Sequence, residues 1–319
     1  MSPLAGPLAL KRKSPDPAPE AGSWSSSDAT HSPQRLSSSS SGAKRLGRSA
    51  LVELAARLPE QERQILETVE RFRLLKSDQV RRLFFSETES EAGSARLCRR
   101  ALAHLTEQGL LRRLERRVGG MRAGSSGHLY ATTAAGKRLL AYLSGEGVPS
   151  NRGAHEPGAA FVSHTIAIAE LYVALVERGR VGELELVSFE TEPGCWRTYT
   201  TPVGASATLK PDALVRVASG EYEYTSFVEV DLGTEGRGAV LRKAQAFLAY
   251  YRSGREQAAY DVFPRVVWIA QEETRVRFLV DLFAGLPEEA QRLLVAVKSD
   301  DPIAALAGSV ENSASGGAK

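Results

Sequence analysis

Apolar positions first recur at helical spacing between Pro59 and Arg73, where Leu66, Val69 and Phe72 share one stripe. Pro59-Glu60 suits the start of that helix. A second, short helix is expected in "DQVRRLFF", with Ser77 as its cap. A third runs from about Glu91 to Gln108, with Leu97, Ala101, Leu102 and Leu105 on one face, and Gly109 closes it. Then the pattern changes. "LLRRLERRV" reads as a strand, "GGMRAGSSG" as a flexible turn and "HLYATT" as a returning strand. "TAAGKRLLAYL" follows as a closing helix with a threonine cap. Three helices and a two-stranded hairpin are the plan of a winged helix-turn-helix over residues 51–145.

Residues 146–156 read as a linker. Beyond them "AAFVSHTIAIAELYVALVERG" is one long, largely apolar helix. "ELELVSFETE" and "WRTYTT" are expected strands, and two more lie near 209–217 and 221–231. "AVLRKAQAFLAYYRSG" is a helix, "PRVVWIA" a buried strand and "EETRVRFLVDLF" another helix. Helix, several strands, helix, strand, helix indicates an α/β domain with a mixed sheet over 157–300.

Composition sets the ends apart. Residues 1–48 are rich in Ser, Pro, Gly and Ala, too poor in apolar surface to offset their ordering entropy, and are expected to be a disordered arm. Its "KRK" at 11–13 and "KRLGR" at 44–48 can touch phosphates, or the arm is only a solubilising tail. Residues 301–319 are also expected to be disordered. The net charge of +3 hides an asymmetry: residues 1–50 carry +4, residues 51–145 carry +6 and residues 146–319 carry −7. A basic front half suggests that it meets a polyanion. No run of eighteen apolar residues occurs, so no membrane span is expected, and the N-terminus lacks a secretory apolar core. Cys98 and Cys195 are far apart and lack metal spacing, which fits a reducing cytoplasm.

Two features carry chemistry. Between Arg96 and Arg122 stand eight arginines and only two acids, Glu107 and Glu115. Arg96, Arg99 and Arg100 lie on the third helix, largely opposite its leucines. Arg112, Arg113, Arg116, Arg117 and Arg122 flank the hairpin tip. Arginine's planar fork suits phosphate oxygens and guanine edges, so this surface is expected to hold double-stranded DNA. The competing reading is a solvated face on a winged helix that binds protein.

The second feature is "LKPDALVRV" followed by "SFVEVDLGTE". Both look like buried strands, yet they carry Asp212, Glu229 and Asp231. Strand alternation puts Glu229 and Asp231 on one face. Three carboxylates at adjacent strand ends repel unless something offsets them, and Mg²⁺ or Mn²⁺ would, with oxygen ligands. Such an ion can polarise a phosphodiester and activate water.

"PDALV" followed by "EVD" resembles the PD-(D/E)xK nuclease superfamily. The resemblance implies a restriction-endonuclease-like domain in which Asp212 matches the motif aspartate and Glu229 the second acid. Asp231 stands where that superfamily has lysine, and Lys243 on the following helix is the candidate for a displaced one, ahead of Lys210. Taken with "LYATTAAGKRLL", "FVSHTIAIAEL" and "KAQAFLAYYRSG", the chain resembles the replication-relaxation family over roughly residues 58–285. That resemblance implies a part in plasmid or mobile-element replication or transfer. It implies a site of Asp212, Glu229 and Asp231 with Glu235 and Lys243 nearby, and a plasmid replication or relaxase protein as partner.

Other residues invite weaker readings. Glu170 can complete a metal site from the long helix, or be an ordinary helix-face acid. His164, in line with Ile168 and Leu171, reads better as a core histidine than as a ligand. Tyr250 and Tyr251, with Gln245, can line a DNA groove, but packing on the sheet is the simpler reading. The expected function is a DNA-binding and recruitment factor whose nuclease-like site is degenerate. The alternatives are an active metal-dependent nuclease or nickase, and a winged-helix transcription regulator whose second domain dimerises.

Overall fold

A computed structural model of the chain describes residues 9–11, 47–88, 90–114, 127–145, 158–300 and 302–308. Its first element is β1 (Ala9–Lys11), a short strand inside the expected arm. The remaining arm residues up to 46, the expected linker at 146–156 with residue 157, and residues 309–319 lie outside the described residues.

A helical module follows. Its elements are α1 (Arg48–Arg57), α2 (Glu60–Phe72), β2 (Leu75–Lys76), α3 (Ser77–Phe84), α4 (Glu91–Glu107), β3 (Leu111–Leu114), β4 (Leu129–Thr132) and α5 (Ala134–Leu143). The strands form a small antiparallel sheet in the order β2-β4-β3. Ile65, Leu66, Val69 and Phe72 bury the apolar stripe of α2. α3 starts at Ser77 itself, so the cap lies one residue earlier than expected: Lys76 is the N-cap, and its backbone N–H donates to the Gln79 side chain at 3.0 Å. In α4 the inner stripe is Ser94, Cys98, Ala101, Leu102 and Leu105, with Ser90 as cap. Leu97, expected on that face, is 40% exposed, because Cys98 takes the inward position. Gly109 adopts φ +70°, the left-handed turn that closes α4.

The second module begins with α6 (Ala159–Arg180). It continues through β5 (Glu185–Thr191), β6 (Arg197–Thr200), β7 (Ser206–Leu209), β8 (Ala213–Ser219), β9 (Tyr222–Asp231), α7 (Arg237–Arg252) and α8 (Arg255–Tyr260). Then come β10 (Arg265–Ala270), α9 (Glu273–Ala284), α10 (Glu288–Leu293), β11 (Leu294–Lys298) and α11 (Ile303–Leu306). The main sheet is mixed, in the order β11-β10-β9-β8-β5, and β1 pairs antiparallel with the start of β9. β5, β8 and β9 run as an antiparallel meander, while β9, β10 and β11 are parallel. β6 and β7 form a separate hairpin outside this sheet. In α11, Ile303, Ala305 and Leu306 are buried, so apolar packing draws part of the expected tail into the fold.

One core cluster joins residues of α2, α3, α4 and α5 to α6 and one face of the main sheet. A second fills the other face, beneath α7, α9 and α10. α6 is long and apolar enough to cross a membrane by length and composition, at mean hydropathy 1.8. Here one face of it, including Val162, Ile166, Ala169, Val173 and Leu175, is buried within the protein, while Phe161 is exposed.

Candidate functional site

The register of β8 on β9 brings two of the predicted acids together. Ala213 pairs with Val228, so Asp212, just before β8, stands across from Glu229. The Asp212 N–H donates to the Val228 carbonyl at 3.0 Å. Alternation along β9 sends Phe227, Glu229 and Asp231 to one face. On β10, Glu229 pairs with Trp268 and Asp231 with Ala270. Asp212, Glu229 and Asp231 are only 7%, 2% and 6% exposed.

Buried carboxylates are costly unless each is paired and hydrogen-bonded. Each of these has its own nitrogen partner, from a different helix. His164 Nε2 on α6 lies 3.0 Å from Asp212 Oδ1, and the Val230 N–H donates to Asp212 Oδ2 at 2.7 Å. Lys243 Nζ on α7 lies 3.0 Å from Glu229 Oε2 and 3.1 Å from Glu235 Oε1. Arg275 on α9 grips Asp231, with Nε 3.1 Å from both oxygens and Nη2 2.8 Å from Oδ2. The Gly233 N–H donates to Asp231 Oδ1 at 2.6 Å, and Arg275 Nη2 reaches the Glu235 carbonyl at 2.7 Å.

The electrostatics follow from this packing. Burial, reinforced by the charge of Asp212, pushes the Glu229 carboxyl well above its ordinary value, and Lys243 draws it only partly back. Burial works to lower the Lys243 ammonium, but Glu229 and Asp212 outweigh it and raise it. The hydrogen bond that Asp212 accepts raises the His164 imidazole against the opposing effect of burial.

A cleft of about 980 Å³ opens here, bounded by α6 and the carboxyl ends of β9, β10 and β11. His164, Glu170, Glu229, Asp231, Glu235 and Lys243 all face it. Ligands of open α/β sheets commonly enter at such strand ends. A Mg²⁺ or Mn²⁺ needs carboxylate lone pairs that converge on one point. The lone pairs of Asp212 and Asp231 are instead turned onto nitrogen donors, and Glu229 is bound to Lys243. Among the described residues no group of three or more His, Cys, Asp and Glu side chains is arranged to hold a metal. The three acids, as they stand, do not fit the ion.

Lys243 arrives where a displaced lysine is expected, whereas Lys210 stacks on Trp196, with Nζ 4.4 Å from the ring centre. His164 is not a core histidine: a third of its side chain is exposed, it faces the cleft and its partner is Asp212. Glu170 faces the cleft but is engaged by Arg82 and by Gln79. Tyr250 is buried against Glu256 and Tyr251 packs edge-on to Phe263, so both are packing residues. Gln245 is exposed on α7.

The arginine surface is a different environment. Arg96, Arg99 and Arg100 are exposed on α4, Arg113 is exposed and Arg112 half-buried on β3. Among the described residues none of these five hydrogen-bonds or pairs with an acid. By contrast Arg63, Arg73, Arg81 and Arg82 of the same module all do. Arg116, Arg117 and Arg122 lie outside the described residues.

A family described as replication-relaxation matches residues 66–266, more than half of the chain. The chain belongs to the replication-relaxation family. Neither the curated proteins nor the solved structures gave a match. The replication-relaxation match runs from α2 into β10. It therefore takes in the arginine surface, His164, all three acids and Lys243, but stops short of Arg275.

Proposed function

We propose that this replication-relaxation protein binds double-stranded DNA and acts as a recruitment factor in the replication or transfer of a plasmid or other mobile element. A replication or relaxase protein is the partner such a role calls for. The observation that carries the reading is the set of unpaired arginines on α4 and β3. Arginines left without acids, beside Arg63, Arg73, Arg81 and Arg82, which are paired, keep their charge available for phosphate. The element order supports a winged helix: α2, β2, α3, α4 and the β3–β4 hairpin, with α4 as the helix offered to the major groove. In the second module, helix α6, the β5-β8-β9 meander, α7 and parallel β10 follow the order expected of a restriction-endonuclease-like core. The acidic cleft supports binding over cutting, because its carboxylates are already matched by internal cations.

The test is DNA affinity as a function of salt, comparing the full chain with Arg99→Ala/Arg100→Ala. Loss of two phosphate contacts weakens binding and flattens the slope of log K against log salt by roughly 2. Unchanged affinity and slope would remove α4 from the DNA surface.

One observation favours a second reading, a metal-dependent nuclease: Asp212, Glu229 and Lys243 are brought together at one strand end. A metal titration separates the two.

A further inference from the structure

We propose that His164 and Lys243 take the place of a divalent cation at the Asp212–Glu229 pair, so that the native cluster is neutralised from within and closed to metal. The inference deepens the binding reading above and rests on it, because a factor that holds DNA without cutting it needs no ion here.

The argument begins with the carboxylate pair. Asp212 and Glu229 are cross-strand neighbours at the end of the sheet, both buried. Two such charges need a positive partner between or beside them. Here the partners come from the two helices that cover opposite faces of the sheet. α6 supplies His164 to Asp212, and α7 supplies Lys243 to Glu229, each at 3.0 Å. An entering ion would have to displace both nitrogens, or sit beside a lysine already attached to its ligand.

The rest of the cluster follows the same plan. Asp231, standing at the position of the nuclease lysine, is closed by the two-nitrogen grip of Arg275. Arg275 also holds the carbonyl of Glu235, whose side chain is the second acid on Lys243. Arg275 is thus bound to the same strand end and loop that carry Asp231 and Glu235. Each predicted metal ligand has a nitrogen partner from a different helix: α6, α7 and α9 in turn. A site waiting for an ion leaves carboxylate oxygens directed at an open point, whereas this one directs them at nitrogens. The arrangement also explains how an aspartate is tolerated where the nuclease pattern has lysine. Arg275 returns the positive charge that the sequence change removed, but spends it on Asp231.

The decisive experiment is calorimetric titration of the full chain with MnCl₂, with manganese electron paramagnetic resonance as a second readout. The wild type is expected to show no saturable binding at millimolar Mn²⁺. His164→Ala/Lys243→Ala uncovers the carboxylate pair and is expected to bind Mn²⁺, and adding Asp212→Asn abolishes that binding. Saturable Mn²⁺ binding by the wild type, lost in Asp212→Asn, would overturn the proposal without needing the double variant to fold. A double variant with native circular dichroism that fails to bind would overturn it too, since His164 and Lys243 would then not be what excludes the ion. Neither result touches the arginine surface, whose own failure appears only as unchanged DNA affinity in Arg99→Ala/Arg100→Ala.

Discussion

Glu229 sits on a central strand with 2% of its surface exposed, where a valine would ordinarily stand. Burial and the neighbouring Asp212 raise its proton affinity above the ordinary 4.5. A carboxyl whose folded value is raised contributes stability that is fully present below the unfolded value and is lost as pH rises through the folded one. Lys243 limits that loss. Its own raised value means its contribution holds below 10.5 and fades only at still higher pH, so it stays charged throughout the neutral range. Lys243→Met therefore leaves a buried carboxylate without its cation, at a cost on the order of 3 kcal/mol at pH 8. At pH 5 Glu229 binds a proton more readily and the cost shrinks. Urea unfolding of both proteins at the two pH values measures this, and an equal loss at both would show that Glu229 is not the group responsible. That the three acids stand on adjacent strands was legible in the sequence, because strand alternation and the motif spacing are local signals, whereas Lys243 entered only through the family resemblance. His164 and Arg275 were not legible. Their partners lie 48 and 44 residues away, and only the folded sheet brings them near.

Elements with their own caps and stripes were also legible. α2, α4 and α5 carry clear apolar stripes or side-chain caps, and their bounds follow from them. α5 shows how closely such an element is fitted. Thr133 Oγ1 accepts from the Gly136 N–H at 3.1 Å and donates to the Gly109 carbonyl at 2.6 Å. The Thr133 N–H donates to the Leu110 carbonyl at 2.9 Å, so the helix start is tied to the turn after α4. A Cβ at Gly136 would lie 2.4 Å from the Leu110 carbonyl oxygen and 2.7 Å from Thr132 Cγ2. In an open helix Gly→Ala adds about 1 kcal/mol. Here Gly136→Ala is expected to destabilise by about 2 kcal/mol, because backbone must give way. Denaturant unfolding decides the sign, and a stabilised variant would mean the contact relaxes freely. Elements lacking local punctuation escaped the sequence reading. β11 begins at Leu294 directly after α10 ends at Leu293, with no turn residue between, and its partner β10 is distant in sequence. β7 is not among the expected strands, which resume only near 209, since nothing local shows that "SATL" folds back on β6.

At the scale of the molecule the apparent linker does not mark a mechanical division. α6 belongs by sequence to the second module, but it is packed into the first. Arg82 of α3 pairs with both Glu170 and Glu177 of α6, reaching Glu177 Oε1 at 2.8 Å. Arg180, at the end of α6, donates to the Arg82 and Leu83 carbonyls that close α3. Gln79 is 1% exposed and donates to the Ile166 carbonyl at 3.1 Å and to Glu170 Oε2 at 2.9 Å. Phe72, Tyr172 and Phe189 stack across α2, α6 and β5, with ring centres 5.0 and 5.3 Å apart along the series. A buried glutamine and a shared apolar core are features of a domain interior more than of a contact between mobile domains. α4 rests on α3 and α3 on α6, the helix that also carries His164. On the DNA-binding function proposed above, a duplex on α4 would thus be presented in a fixed relation to the cleft. A protease recognition sequence inserted after Gly153 tests this. Cutting there is expected to leave two fragments that co-elute on size exclusion and unfold in a single transition. Adding Arg82→Ala/Arg180→Ala to the cut protein removes the ion pairs and the cap on α3, and the fragments then separate at low concentration. If the cut wild type came apart into two folded species, α6 would be a tether rather than a shared core helix, and the DNA surface would be free to move relative to the acids.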